Sequence, residues 1–98
     1  MNQEALNSEE PDAATLAFLN CVFPNGLLET EYWALLHVLR KDMSIRAASS
    51  LVGILMGKPY IDIYNDALGA NHIQYDQQII DDLTSRLEAC NYRTWLDA

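Results

Sequence analysis

Cations are scarce in this chain. Six lysines and arginines stand against fourteen acids over 98 residues, a net charge of −8. A surface of that sign repels a phosphate backbone, whereas nucleic-acid binders cluster their cations. Long apolar runs are missing too, since no stretch reaches the ~18 residues of a transmembrane span. The opening MNQEALNSEEPD has no basic start and no apolar core. It does not read as a signal peptide, so the expected compartment is the cytoplasm. There is no Gly-rich phosphate loop, no Gly-x-Ser-x-Gly and no Cys-x-x-Cys, so the expectation is a non-enzymatic protein without a cofactor.

Half of the residues are hydrophobic. A chain of this size buries roughly 60–65% of its unfolded surface, enough for one core. Glu4, Glu9, Glu10 and Asp12 fall in the first twelve residues with no base among them. Residues 1–11 therefore read as a disordered acidic arm, and 12–98 as a single helical domain. The segment from 59 onward is acidic again, with seven acids against Arg86 and Arg93. A basic partner suits such a surface better than an acidic one.

Phe23 to Arg40 carries the strongest pattern. After the Pro24-Asn25-Gly26 breaker, Tyr32, Trp33, Ala34, Leu35, Leu36, Val38 and Leu39 leave a helix of about 30–41 apolar on nearly every side. A helix of that kind is surrounded by other elements, with Thr30 as its expected cap and Arg40-Lys41 closing it. Before it, a helix over about 12–22 shows Leu16, Leu19 and Phe23, with Ser8 or Asp12 as cap. After it, Asp42 or Ser44 opens a helix of about 45–56, with Ile45, Ala48, Val52 and Leu55 on one face and Gly57-Lys58-Pro59 as its stop.

Residues 60–75 admit two readings. Tyr60 to Tyr64 alternates like a strand that Ile73-Gln74-Tyr75 would pair with, yet Asp62 also caps a short helix 63–68 ended by Gly69. The helix is favoured, because an isolated two-stranded hairpin is marginal. Asp76 then caps a helix of about 77–90 striped by Ile79, Ile80, Leu83, Leu87 and Cys90, and the Tyr92, Trp95, Leu96 tail folds back. The expected fold is all-α, a compact orthogonal bundle of about five short helices around the central one.

Phe23-Pro24-Asn25-Gly26, then Tyr32 with Leu35-Leu36 and Leu39-Arg40, then Ser44 opening a helix, is similar to the bacterial proteins catalogued as domain of unknown function 3349. Ile61-Asp62-Ile63 and Ser85-Arg86-Leu87-Glu88-Ala89 follow in the same order, so the resemblance runs over about residues 15–95. It implies a small all-helical protein engaged in protein or nucleic-acid interaction, with no established activity and no catalytic residues. Asn91-Tyr92-Arg93 stands where the family's pattern has Gly-Trp-Pro, and Trp95 is displaced from it.

Three groups of residues are candidates for function. Ser49, Gly53 and Gly57 place small residues every four positions along the third helix, a ridge that lets another helix approach closely. The approaching helix is either this chain's own or that of another protein or a second copy, as in a homodimer. Trp95 and Tyr92 supply aromatic anchors of the kind that dominate interfaces, or else cover for the core. Arg40, Lys41 and Arg46 gather at the turn between the second and third helices and carry the alternative reading, a nucleic-acid-associated regulator.

The remaining polar groups read as ordinary surface. Asp62, Asp66, Asp76, Asp81 and Asp82 lack the ligand spacing of a calcium hand and read as a solvated acidic face. Cys21, His37, His72 and Cys90 match no zinc finger or ribbon. The two cysteines read as small hydrophobes, with a redox-linked bridge between terminal helices as the other account.

Overall fold

The computed structural model describes residues 12–69 and 75–97. The expected arm 1–11, together with His72, Ile73 and Gln74, lies outside those residues. Every regular element described is helical, and each begins or ends where local chemistry dictates. The first helix, α1 (Ala13–Val22), starts at Asp12, whose Oδ1 accepts the Thr15 amide at 2.7 Å. Helix α2 (Glu29–Leu39) follows the turn at Pro24-Asn25-Gly26, where Gly26 takes φ 85°. Its cap differs from expectation. Thr30 lies inside the first turn, and Glu31 reaches back to accept the Leu28 amide at 2.9 Å, the acidic half of a capping box.

Helix α3 (Ile45–Met56) begins at Ser44, whose Oγ accepts the Ala47 amide at 3.1 Å. It ends at Gly57 with φ 66°, a left-handed cap that favours glycine. Residues 60–69 are helical, forming α4 (Tyr60–Gly69), so the helical reading of this segment holds and the strand reading falls. It begins before Asp62, because proline at 59 suits the position just ahead of a helix. Helix α5 (Gln77–Ala89) starts at Asp76, which accepts the Gln78 amide at 2.9 Å. Asn91, at φ 64°, then turns the chain into a sixth helix, α6 (Tyr92–Asp97).

The core is contiguous and centred on α2. Tyr32, Ala34, Leu35, Leu36, Val38 and Leu39 are buried there, and α5 lies along α2 with Ile80, Leu83 and Leu87 facing it. Trp33 is half-buried at the margin, edge-on to the Tyr32 ring at 5.0 Å. Helices α3 and α4 pack as a tight pair, while α6 rests on α1 and α5. Leu16, expected in the core stripe of α1, is instead 44% exposed. Phe18, Leu19, Val22 and Phe23 face inward there. Among the described residues no helix is long and apolar enough to cross a membrane.

Buried polar ties fix these contacts. Glu31 on α2, nearly buried, forms an ion pair with Arg86 of α5, whose guanidinium also sits 5.0 Å above the Phe23 ring. Tyr32 donates its hydroxyl to Asp66 of α4 at 2.8 Å. Asp66 is therefore no freely solvated acid, and the α2–α4 packing has a polar anchor.

A candidate docking groove

The ridge of small residues is filled from within. Ser49 is fully buried, and a Cβ built on Gly53 would meet the Lys58 carbonyl oxygen at 3.1 Å, with Tyr60 and Ile63 just beyond. Helix α4 turns straight back over α3 after Gly57-Lys58-Pro59 and occupies the space that Gly53 leaves. No outside helix can use that position while α4 lies there. Gly57 is exposed and serves as the left-handed cap.

The basic corner is partly drawn into the fold as well. Arg40 donates to the Ala67 carbonyl at 3.3 Å, and the intervening Asp42 accepts from Tyr92 at 3.1 Å and Arg93 at 3.4 Å. Lys41 and Arg46 are exposed. His37 stacks on Tyr75 at 4.5 Å between ring centroids. Among the described residues no three of His, Cys, Asp and Glu are grouped to hold a metal ion.

The two cysteines are joined. Cys21, near the end of α1, and Cys90, after α5, form a disulfide with their Cα atoms 5.9 Å apart. Their sulfurs are therefore not free thiols filling the core, and Cys21 is exposed. Of the two accounts of these residues, the bridge between terminal helices is the one observed.

The aromatic tail, the start of α1 and α3 together build a concave feature that includes the candidate residue Trp95. Trp95 on α6 donates Nε1–H to the Thr15 hydroxyl at 3.3 Å and stacks on Phe18 at 4.6 Å, nearly parallel. Tyr92, one turn earlier on α6, reaches Asp42 on the other side. Held at both ends, α6 and α1 form one wall of a groove of about 500 Å³, and α3 forms the other. Ala47, Ser50, Leu51 and Ile54 present its α3 side, while Trp95 and Leu96 face them. The lining is mostly apolar and shallowly polar, the character of sites that receive side chains.

Asp12 is the charged residue among the lining, at the rim. Hydrogen bonds from Thr15, through its side chain and then its amide, hold the Asp12 carboxyl below the usual carboxylate range. It is ionised at neutral pH. A second apolar surface lies on α4, where Tyr60, Ile61 and Leu68 are 40%, 54% and 55% exposed. Tyr60 stacks on Tyr64 there at 5.5 Å.

Sequence pattern alone did not reach this groove. Its walls come from residues 12–15, 43–54 and 95–96, and only the Trp95 signal pointed to it. No family model, curated protein or solved structure matches the chain.

Proposed function

We propose that this chain is a non-enzymatic protein-interaction module that takes a segment of another protein into the groove between α1, α3 and α6. The observation that carries the reading is Trp95. It is an aromatic side chain half-buried at the groove, fixed by Phe18 and Thr15 rather than lost in the core. A rigid aromatic facing a concave apolar wall is the usual anchor of a helix-in-groove contact. Kinship with domain of unknown function 3349 belongs to the same proposal, supported by the order of helices and the Phe23 to Arg40 motif. The nucleic-acid reading draws no support from the Arg40, Lys41, Arg46 corner, where Arg40 is engaged with α4 and Asp42 sits between the cations.

The disulfide bears on where the module works. Such bonds persist in oxidising compartments and are transient in the cytosol. The Cys21–Cys90 bond therefore argues for an oxidising setting over the cytoplasmic one that free thiols would suit. Alkylation of protein quenched directly from its native cells measures this: closed cysteines support the proposal, and fully alkylated ones restore the cytoplasmic expectation.

The function itself is tested by chemical crosslinking in native cells. Ser50→Arg, which fills the groove from an exposed position, should remove the crosslinked partners, whereas Ile61→Glu on the α4 surface should retain them. Loss with Ile61→Glu and retention with Ser50→Arg would move the interface to α4.

A further inference from the structure

We infer that the segment received by this groove is a cationic amphipathic helix, its apolar side chains seated between Trp95 and the α3 wall and its lysines or arginines turned toward the Asp12 rim. The inference rests on the groove being the docking site and adds the chemistry of its occupant.

The argument is one of shape and charge. The groove wall offered by α3 repeats at helical spacing, with Ala47, Ser50, Leu51 and Ile54 along one side. Ala47 and Ser50 are small, so the centre of the groove has room for a partner's larger side chains. Trp95 and Leu96 close it from α6. Two or three apolar residues at i, i+3 or i+4, and i+7 fill such a shape, and a helix supplies them on one face.

Charge then selects the other face. The charged group in the lining is the carboxylate of Asp12, ionised at neutral pH. The chain leading up to that residue carries Glu4, Glu9 and Glu10 and no base. No lysine or arginine lines the groove, and two of the six cations are paired elsewhere, Arg86 with Glu31 and Asp82 and Arg93 with Asp42. Lys41, Arg46 and Lys58 are exposed, and Arg46 lies nearest the groove, one turn of α3 before Ser50. A chain of net charge −8 also repels a second copy of itself, which makes self-association the weaker candidate for the same face.

The probe is a synthetic helical peptide of about eighteen residues, five turns, with leucines on one face and lysines on the other, labelled for fluorescence anisotropy. A matched peptide replaces each lysine by glutamate, and a third replaces the leucines by alanine. The leucine–lysine peptide should bind the full-length chain, and binding should weaken as NaCl rises from about 50 mM to about 300 mM. The glutamate and alanine peptides should each bind at least about tenfold more weakly. Ser50→Arg and Ala47→Trp, each checked for an unchanged melting curve, should both weaken the lysine peptide by at least about tenfold. Asp12→Asn keeps the helix cap while removing its charge. It should weaken the lysine peptide a few-fold and leave the alanine peptide unaffected, whereas Arg46→Glu should strengthen the lysine peptide.

Two results separate the failures. If the glutamate peptide binds as tightly and is displaced by Ser50→Arg, the groove remains the docking site and the inference about charge is overturned. If the lysine peptide binds undiminished to both groove variants, attraction to the acidic chain is diffuse and the groove reading falls with it. Light scattering that shows a dimer broken by Ser50→Arg would name a second copy as the occupant instead. Binding of the lysine peptide that rises at least about tenfold on Leu6→Asn would name the N-terminal arm.

Discussion

The two ends of this molecule are held together in different ways. At one end α3 and α4 are neighbours in sequence, joined through Gly57-Lys58-Pro59, and they close by backbone approach at Gly53. At the other, α1 and α6 come from opposite termini. The Trp95–Thr15 hydrogen bond spans 80 residues and the disulfide 69. Joining neighbours costs little chain entropy, whereas bringing termini together forfeits the freedom of the whole intervening loop. The local end therefore needs only small residues and a turn. The distant end adds a covalent bond, a ring stack and two hydroxyl contacts.

The largest expected effect breaks the distant end. Opening a loop of that length by Cys90→Ser should cost roughly 4 kcal/mol on a chain-entropy account, read as a fall in the urea midpoint with a steeper slope, because the freed unfolded chain exposes more surface. Reductant should do the same to the unmodified protein and nothing to the variant. The groove wall should loosen with it, so the Trp95 fluorescence should shift toward that of exposed tryptophan before the core melts. A reduced protein as stable as the oxidised one would mean that the Phe18, Tyr92 and Trp95 stack suffices alone.

Next comes the local end. Gly53→Leu forces a side chain against the Lys58 carbonyl and Ile63 and should cost about 2–3 kcal/mol by overpacking. Gly53→Ala should cost less, because its gain in helix propensity of about 1 kcal/mol offsets the 3.1 Å contact. Were the ridge open to a partner in the isolated chain, Gly53→Leu would instead leave the melting temperature where it is.

The helices at both ends were legible for local reasons. Ser44 and Gly57 bracket α3, and Asp76 opens α5, because a cap is chemistry within three residues. The face that α3 buries was only half legible. Ala48 and Val52 followed the apolar stripe, but Ser49 is buried as well and Gly53 is covered because α4 returns over it, which no single-helix period encodes. The disulfide was equally hidden, since nothing in two cysteines 69 apart specifies that α1 and α5 end side by side. Glu31 is nearly buried for the same reason: its partner, Arg86, lies 55 residues away.

A smaller effect sharpens the comparison through pH. Burial, and then the hydrogen bond to Asp66, push the Tyr32 hydroxyl well above its ordinary pKa. Burial and the adjacent Asp42 do the same for Tyr92 at the α6 end. A raised folded pKa means the protonated form is favoured by folding. Its contribution is full below the unfolded value near 10 and is lost as pH climbs from there through the folded value. Stability should therefore decline above about pH 10. Tyr32→Phe should cost about 1.5–3 kcal/mol at neutral pH, the worth of a hydrogen bond to a charged group, and should make the alkaline decline shallower. Tyr92→Phe should do likewise while loosening α6. An alkaline decline as steep in the double variant as in the unmodified chain would detach it from these two hydroxyls.

The smallest effect has the opposite sign. The Ser49 hydroxyl is buried on α3 with no hydrogen-bond partner among the described residues. An unmade hydrogen bond in such a place costs about 1–3 kcal/mol of desolvation, and alanine fits the same space with better helix propensity. Ser49→Ala should therefore stabilise the protein by about 1 kcal/mol, a rise of several degrees in melting temperature for a domain of this size. The gain should be the same in oxidised and reduced protein, since Ser49 belongs to the local end and the disulfide to the distant one. Sites with no shared partner should be additive within about 0.5 kcal/mol. A gain that appears only when the disulfide is closed would show that the two ends are coupled, through α2, which touches α3 and α5, or across the groove that α3 shares with α1 and α6. Loss of stability in Ser49→Ala would instead show that the hydroxyl has a bonding role inside the fold.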